Sequence, residues 1–104
     1  MNRVFKALGD PTRRRILQLL REREMTAGEI AGRFELAKPT LSGHFAILRE
    51  ADLISADKAG TTITYRLNLS VLEDALLGFA EGFGIGSQAP AAATTPTTSE
   101  EEEA

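Results

Sequence analysis

The chain has 104 residues with 12 Lys and Arg, 15 Asp and Glu, one His and no Cys, and a formal net charge of −3. That length fits one small domain whose core would gain from association with a second copy. The absence of cysteine excludes disulfides, thiol redox sensing and thiolate metal sites. With no long apolar run and no signal-like start, a soluble cytoplasmic protein without membrane contact is expected.

In chain order, a first helix carries Val4, Phe5 and Leu8. Asp10-Pro11 then reads as an N-cap followed by a first-turn proline, opening a second helix whose Ile16, Leu17 and Leu20 face the core. Arg13, Arg14 and Arg15 sit early in that helix. Arginines on a supporting helix are usually solvated, so none is assigned to recognition.

Thr26 to Ile54 reads as two short amphipathic helices joined by a tight turn and followed by a strand, a helix-turn-helix. Thr26 and Glu29 form an S/T-x-x-E capping box, and Ile30, Ala31 and Phe34 supply a buried stripe. The next helix begins near Pro39, with Leu41, Phe45 and Leu48 on one face. Lys38, Pro39, Ser42, Gly43 and Ala46 therefore point outward. In a helix-turn-helix this outward face of the second helix enters the DNA major groove, where small or polar side chains let the backbone approach base edges. A generic antiparallel helix pair would show the same capping and periodicity.

Ile54 to Lys58 and Thr62 to Leu67 are strand-like runs separated by Ala-Gly-Thr, and Ile63, Tyr65 and Leu67 alternate with Thr62, Thr64 and Arg66. A hairpin at this place is a wing. Lys58 and Arg66 are its candidates for phosphate contact, with solvated cations as the competing reading, and Gly60 suits a tip that needs positive φ. A last helix starts around Ser70, read with Glu73 as another capping box, and carries Leu72, Leu76, Phe79, Ala80 and Phe83 on one stripe. So many apolar groups exceed what a small domain covers alone. They make either an interface between two copies, together with Val4, Phe5 and Leu8, or an ordinary core face.

From Ser87 the sequence is rich in Ala, Thr and Pro and ends in Glu100 to Glu103, a composition that cannot bury a core. Residues 1–86 are thus expected to form one winged helix-turn-helix domain and residues 87–104 a disordered acidic tail. The charge follows this division. Every Lys and Arg lies between Arg3 and Arg66, while Glu73, Asp74, Glu81 and the terminal glutamates hold the excess negative charge, so the segment meant to meet DNA is basic.

The opening VFKALGDPTRRRILQLL, then MTAGEIAGRF, AKPTLSGHFAILREADLI and the GTTITYRLN hairpin, together resemble the ArsR-type (ArsR/SmtB) winged-helix transcriptional repressors. AKPTLSGH in the recognition helix is similar to the SdpR-like autorepressor branch. The resemblance extends from Val4 to about Gly84. It implies a mainly α fold with a small β-hairpin, dimerising through the first and last helices on a two-fold symmetric operator. It also favours a DNA contact for His44, whose other readings are a half-buried structural imidazole or a ligand. Two positions depart from the family: Ala37 stands where a capping Ser is common, and Gly43 where a larger polar residue often reads DNA.

Many ArsR-type proteins sense metals, yet a transition-metal site needs several converging His, Cys or carboxylate ligands, and His44 is the one histidine here. No metal and no cofactor are expected. An enzyme is excluded by the lack of a Gly-rich phosphate loop and of a nucleophile with a matched base. The expected protein is a homodimeric autorepressor on double-stranded operator DNA. Lys38, Pro39, Thr40, Ser42, Gly43 and His44 approach bases or nearby phosphates, Lys58 and Arg66 hold flanking phosphates, and Val4, Phe5, Leu8, Leu72, Leu76, Phe79 and Phe83 make the dimer. The alternatives are a winged-helix module for protein association, or a repressor answering to a small organic effector.

Overall fold

The computed structural model describes residues 2–85. The expected acidic tail, 87–104, lies outside the described residues. Among the described residues, five helices and three strands follow in the order α1 (Asn2–Leu8), α2 (Pro11–Glu22), β1 (Met25–Thr26), α3 (Ala27–Ala31), α4 (Lys38–Glu50), β2 (Ile54–Ala59), β3 (Thr62–Leu67) and α5 (Leu69–Gly82). The chain divides after Leu72 into two compact units.

Asp10 starts α2 as expected: its Oδ1 accepts from the amides of Thr12 at 2.8 Å and Arg13 at 3.2 Å, ahead of Pro11 in the first turn. Desolvation pushes the Asp10 carboxyl up, but those two amides, with the Arg13 cation nearby, outweigh it and hold the pKa below the ordinary value. The carboxylate therefore stays ionised at the positive end of the helix. Ile16, Leu17, Leu19 and Leu20 of α2 are buried with Ile30 of α3, Leu41, Phe45 and Leu48 of α4, and Leu53.

The Thr26–Glu29 capping box is present in both directions, with Glu29 donating its amide to Thr26 Oγ1 and Thr26 donating its amide to Glu29 Oε1. The Thr26 amide and the Arg23 cation keep the Glu29 carboxyl below its usual pKa. The helix it starts is shorter than the apolar spacing implies. α3 ends at Ala31, so Phe34 lies beyond it and is only half-buried.

The hairpin pairs Ile54 with Leu67 through Ala59 with Thr62, and Gly60 at its two-residue tip has φ +63°. A third strand was not visible in the sequence. Met25 and Thr26 pair antiparallel with Tyr65 and Thr64, giving the order β1-β3-β2 with β3 in the centre. Two residues are too few to show alternation, and the pairing reaches across 38 positions or more of chain, so no local pattern announces it.

The last helix also differs in its start. α5 begins at Leu69, with the Asn68 carbonyl accepting from the Val71 amide at 3.1 Å, so Ser70 lies inside the helix and is not its cap. Among its residues Ala75 is buried, whereas Leu76, Leu77 and Phe79 are exposed; Phe83, expected on the same stripe, lies one residue beyond the helix and is exposed too.

α4 closes with a Schellman motif. The amide of Leu53 donates to the Leu48 carbonyl at 3.0 Å, that of Asp52 to Arg49 at 2.9 Å, and Asp52 takes φ +60°. A Cβ makes this left-handed conformation costly, and the Asp52 backbone carbonyl, not its side chain, receives the Asn68 Nδ2 hydrogen bond. Asp52→Gly should therefore raise stability by about 0.5–1 kcal/mol in urea unfolding. A loss of stability would mean that the Asp52 side chain contributes something the backbone geometry does not require.

Candidate nucleic-acid interface

Burial of Leu41, Phe45 and Leu48 sets the rotation of α4, and the opposite face carries Lys38, Pro39, Thr40, Ser42 and Gly43, all exposed. Phe45 stacks on Tyr65 of β3 with ring centroids 4.4 Å apart and planes 25° from parallel, joining the helix to the wing. Burial raises the Tyr65 pKa, with the Arg49 cation opposing it, so the phenol stays neutral.

Ala37 has the extended backbone of an N-cap, φ −65° and ψ 147°, but no side-chain hydrogen bond caps α4. Pro39 has no amide to satisfy, which leaves the first-turn amides of Lys38 and Thr40 for solvent or an anion. A Cβ built on Gly43 would meet nothing within 4 Å. The face around it is open, as a surface approached closely by another molecule must be. Between α3 and α4 a groove of about 220 Å³ is lined by Ala27, Gly28, Ala31, Lys38, Leu41, Ser42 and Phe45.

His44 is half-buried and tied to α2. Arg13 Nη1 lies 3.2 Å from its Nδ1, while Arg13 Nε donates to the Ala7 carbonyl at 2.8 Å and Nη2 to the Lys6 carbonyl at 3.1 Å. One guanidinium thus links the carboxyl end of α1 to α4. Sequence reasoning left Arg13 among the solvated arginines, because its partners lie 6, 7 and 31 residues away and no spacing rule connects them.

The wing separates its two cations. Lys58 is exposed near the tip, opposite Ile63, and among the described residues it has no ion-pair partner. Arg66 is taken up by two carboxylates: its Nε donates to Glu24 Oε1 at 3.0 Å and its Nη2 to Asp57 Oδ2. The Glu24 hydrogen bond and the Asp57 charge raise its pKa further. Arg66 therefore braces the sheet, and its expected phosphate contact would require an exchange of partners.

Of the expected interface residues, Val4 is 5% exposed in the single chain and offers a second copy little surface. Phe5, Leu8 and Leu72 are half-buried, and Leu76, Phe79 and Phe83 are 46%, 47% and 70% exposed. The Phe79 and Phe83 rings lie 5.0 Å apart. Among the described residues no three of His, Cys, Asp and Glu converge as metal ligands, and no helix is long and apolar enough to cross a membrane.

Residues 10–56 match the family described as "Bacterial regulatory protein, arsR family". The chain is 51% identical over 76 residues to the transcriptional repressor SdpR of Bacillus subtilis, covering 73% of this chain and 84% of that one. It is 40% identical over 77 residues to the arsenic resistance transcriptional regulator ArsR1 of Pseudomonas putida, covering 71% of this chain and 60% of that one. A crystal structure of an ArsR family transcriptional regulator superposes with a TM-score of 0.74 at 30% identity, over 79% of this chain and 90% of that one.

Because a methyl group at position 43 meets no neighbour and glycine is a poor helix former, Gly43→Ala should stabilise the fold by about 0.5–1 kcal/mol. Thermal melts decide this, and a lower midpoint would show that α4 needs glycine for its backbone geometry.

Proposed function

The chain belongs to the ArsR family of bacterial regulatory proteins, DNA-binding transcription regulators and not enzymes, and from that premise we propose that it is a homodimeric repressor of its own promoter. The observation that carries this reading is the exposed face of α4, where Lys38, Pro39, Thr40, Ser42 and Gly43 stand clear of the domain over the buried Leu41, Phe45 and Leu48. Each copy lays this face in a major groove, at half-sites about 34 Å apart on a two-fold operator. Lys38, Thr40, Ser42 and His44 reach base edges or adjacent phosphates, and Pro39 and Gly43 keep the approach close. Lys58 of the wing neutralises a flanking phosphate, and Arg66 joins it only by leaving Glu24 and Asp57.

The dimer uses α1 and α5. Leu76, Phe79 and Phe83 leave a large apolar surface in water, which is the kind of patch a second copy covers. Val4, Phe5, Leu8 and Leu72 are assigned to the same interface, with Val4, already buried, contributing least. Repression then needs no transition metal: the single histidine already uses Nδ1 with Arg13, and cysteine is absent. Bound to its operator, the dimer occludes RNA polymerase.

A gel-shift titration against the chain's own upstream DNA, with random competitor and varied salt, tests the whole reading. Competitor-resistant binding at a two-fold site is expected, and weak binding equal on both DNAs would replace it with protein association or an off-state awaiting an effector. Leu76→Asp should give monomers in sedimentation; a persisting dimer would move the interface elsewhere. Lys58→Ala should weaken binding on all sequences and lower the salt slope by about 1, with Arg66→Ala doing less. Equal losses from the two would mean that Arg66 does exchange its partners on DNA.

A further inference from the structure

Arginine has only donors, five N–H groups in a rigid plane, and does not lose its proton. At 3.2 Å from Arg13 Nη1, the His44 Nδ1 can therefore only accept. A neutral imidazole with an accepting Nδ1 carries its proton on Nε2. The guanidinium cannot turn to another arrangement at low cost, since Nε and Nη2 are held by the Ala7 and Lys6 carbonyls at the end of α1. Its base is fixed too, because the Arg13 amide donates to the Asp10 carboxylate at the N-terminus of α2. Among the described residues Nε2 has no hydrogen-bond partner. It belongs to a half-exposed ring on α4, one residue after Gly43 and two after Ser42.

We propose that Arg13 is a positioning residue for DNA recognition, holding His44 as the Nε2–H tautomer so that the recognition helix offers a hydrogen-bond donor to a purine N7 or O6 edge. This rests on the operator reading above and adds to it the chemical class of one contact. An Nε2–H at that place donates to guanine O6 or N7 or to adenine N7 in the major groove, and it opposes the cytosine amino group, which is itself a donor. Arg13 itself stays off the DNA bases. It acts through the ring.

The single histidine makes the tautomer directly readable. Long-range 1H–15N spectra of the wild-type protein at alkaline pH should show one neutral form with the proton on Nε2, and Arg13→Gln should show a mixture. A proton on Nδ1 in the wild type would overturn the inference without any variant having to fold. For DNA, the readout is the ratio of affinity for the chain's own upstream site to that for random DNA. Arg13→Gln should lower this ratio about tenfold. Glutamine at 44 carries an amide N–H where Nε2–H was and needs no tautomer, so in a His44→Gln background Arg13→Gln should change the ratio less than about twofold. Equal loss in both backgrounds would make Arg13 merely structural. Where Arg13→Gln does not fold, Arg13→Met, which keeps the length of the stem but has no donor, takes its place with the same expectations. In operator DNA, removing N7 with a 7-deazapurine, or O6 with 2-aminopurine in place of guanine, should at one position per half-site weaken wild-type binding more than binding by Arg13→Gln, whereas equal weakening of both would overturn the assigned contact. A wild-type protein that does not prefer its own upstream DNA overturns the operator reading and this contact together, while a preference that survives Arg13→Gln overturns this contact alone.

Discussion

Leu41, Phe45 and Leu48 are 2%, 6% and 0% exposed, and Phe45 stacks on Tyr65 of the central strand. Burying three such side chains at about 2 kcal/mol each fixes the rotation of α4 about its axis. That gain exceeds the roughly 1 kcal/mol lost to Gly43 inside the helix and the roughly 1 kcal/mol forgone at the uncapped Ala37. The outer face can therefore be composed for another molecule, with small residues and open amides, because the inner face supplies the stability. The same stack ties the wing to the helix, so the two elements proposed to grip DNA move as one.

The start of α2 is the second point on which several elements converge. Asp10 caps the helix, and the arginine three residues later closes the end of α1 and reaches His44 on α4. A single side chain with all three guanidinium nitrogens engaged satisfies the Ala7 carbonyl and gives the Lys6 carbonyl a second donor at the end of a seven-residue helix. Arg14 adds to this by donating to the Leu8 carbonyl at 2.6 Å. The element proposed for dimerisation and the element proposed for recognition are thereby joined through hydrogen bonds of fixed geometry.

Charge is arranged with similar economy. The fold consumes some basic residues internally and leaves others in water. Arg66 is spent on Glu24 and Asp57, which hold the short β1 region and β2 against β3, and Arg23 pairs with Glu29 at the capping box. Exposed pairs of this kind add little to stability, but they remove cations from the set available to phosphate. Of the cations assigned to DNA, Lys38 and Lys58 stay outside these pairs. A count of Lys and Arg along the chain overstates the basic face that DNA would meet.

The sequence by itself determined the elements whose signals are local. Asp10-Pro11, Thr26 with Glu29, the Leu41-Phe45-Leu48 spacing and Gly60 at the hairpin tip each act within a few residues, through capping bonds, helical periodicity or a backbone angle, and each is found where it was expected. Helix ends governed by less than a full motif were displaced: α3 stops before Phe34, where the amides of Arg33 and Phe34 turn to the carbonyls three residues back, and α5 begins at Leu69 with Asn68 as its first carbonyl acceptor. What only the tertiary structure decided are partnerships between distant residues. β1 finding β3, Arg13 finding His44, and Arg66 turning to Glu24 depend on three-dimensional approach across 31 to 42 positions or similar spans, and on competition among several possible partners for each charged group. Local spacing carries no term for that competition, so it could assign Lys58 and Arg66 the same role while the folded chain gives them different ones.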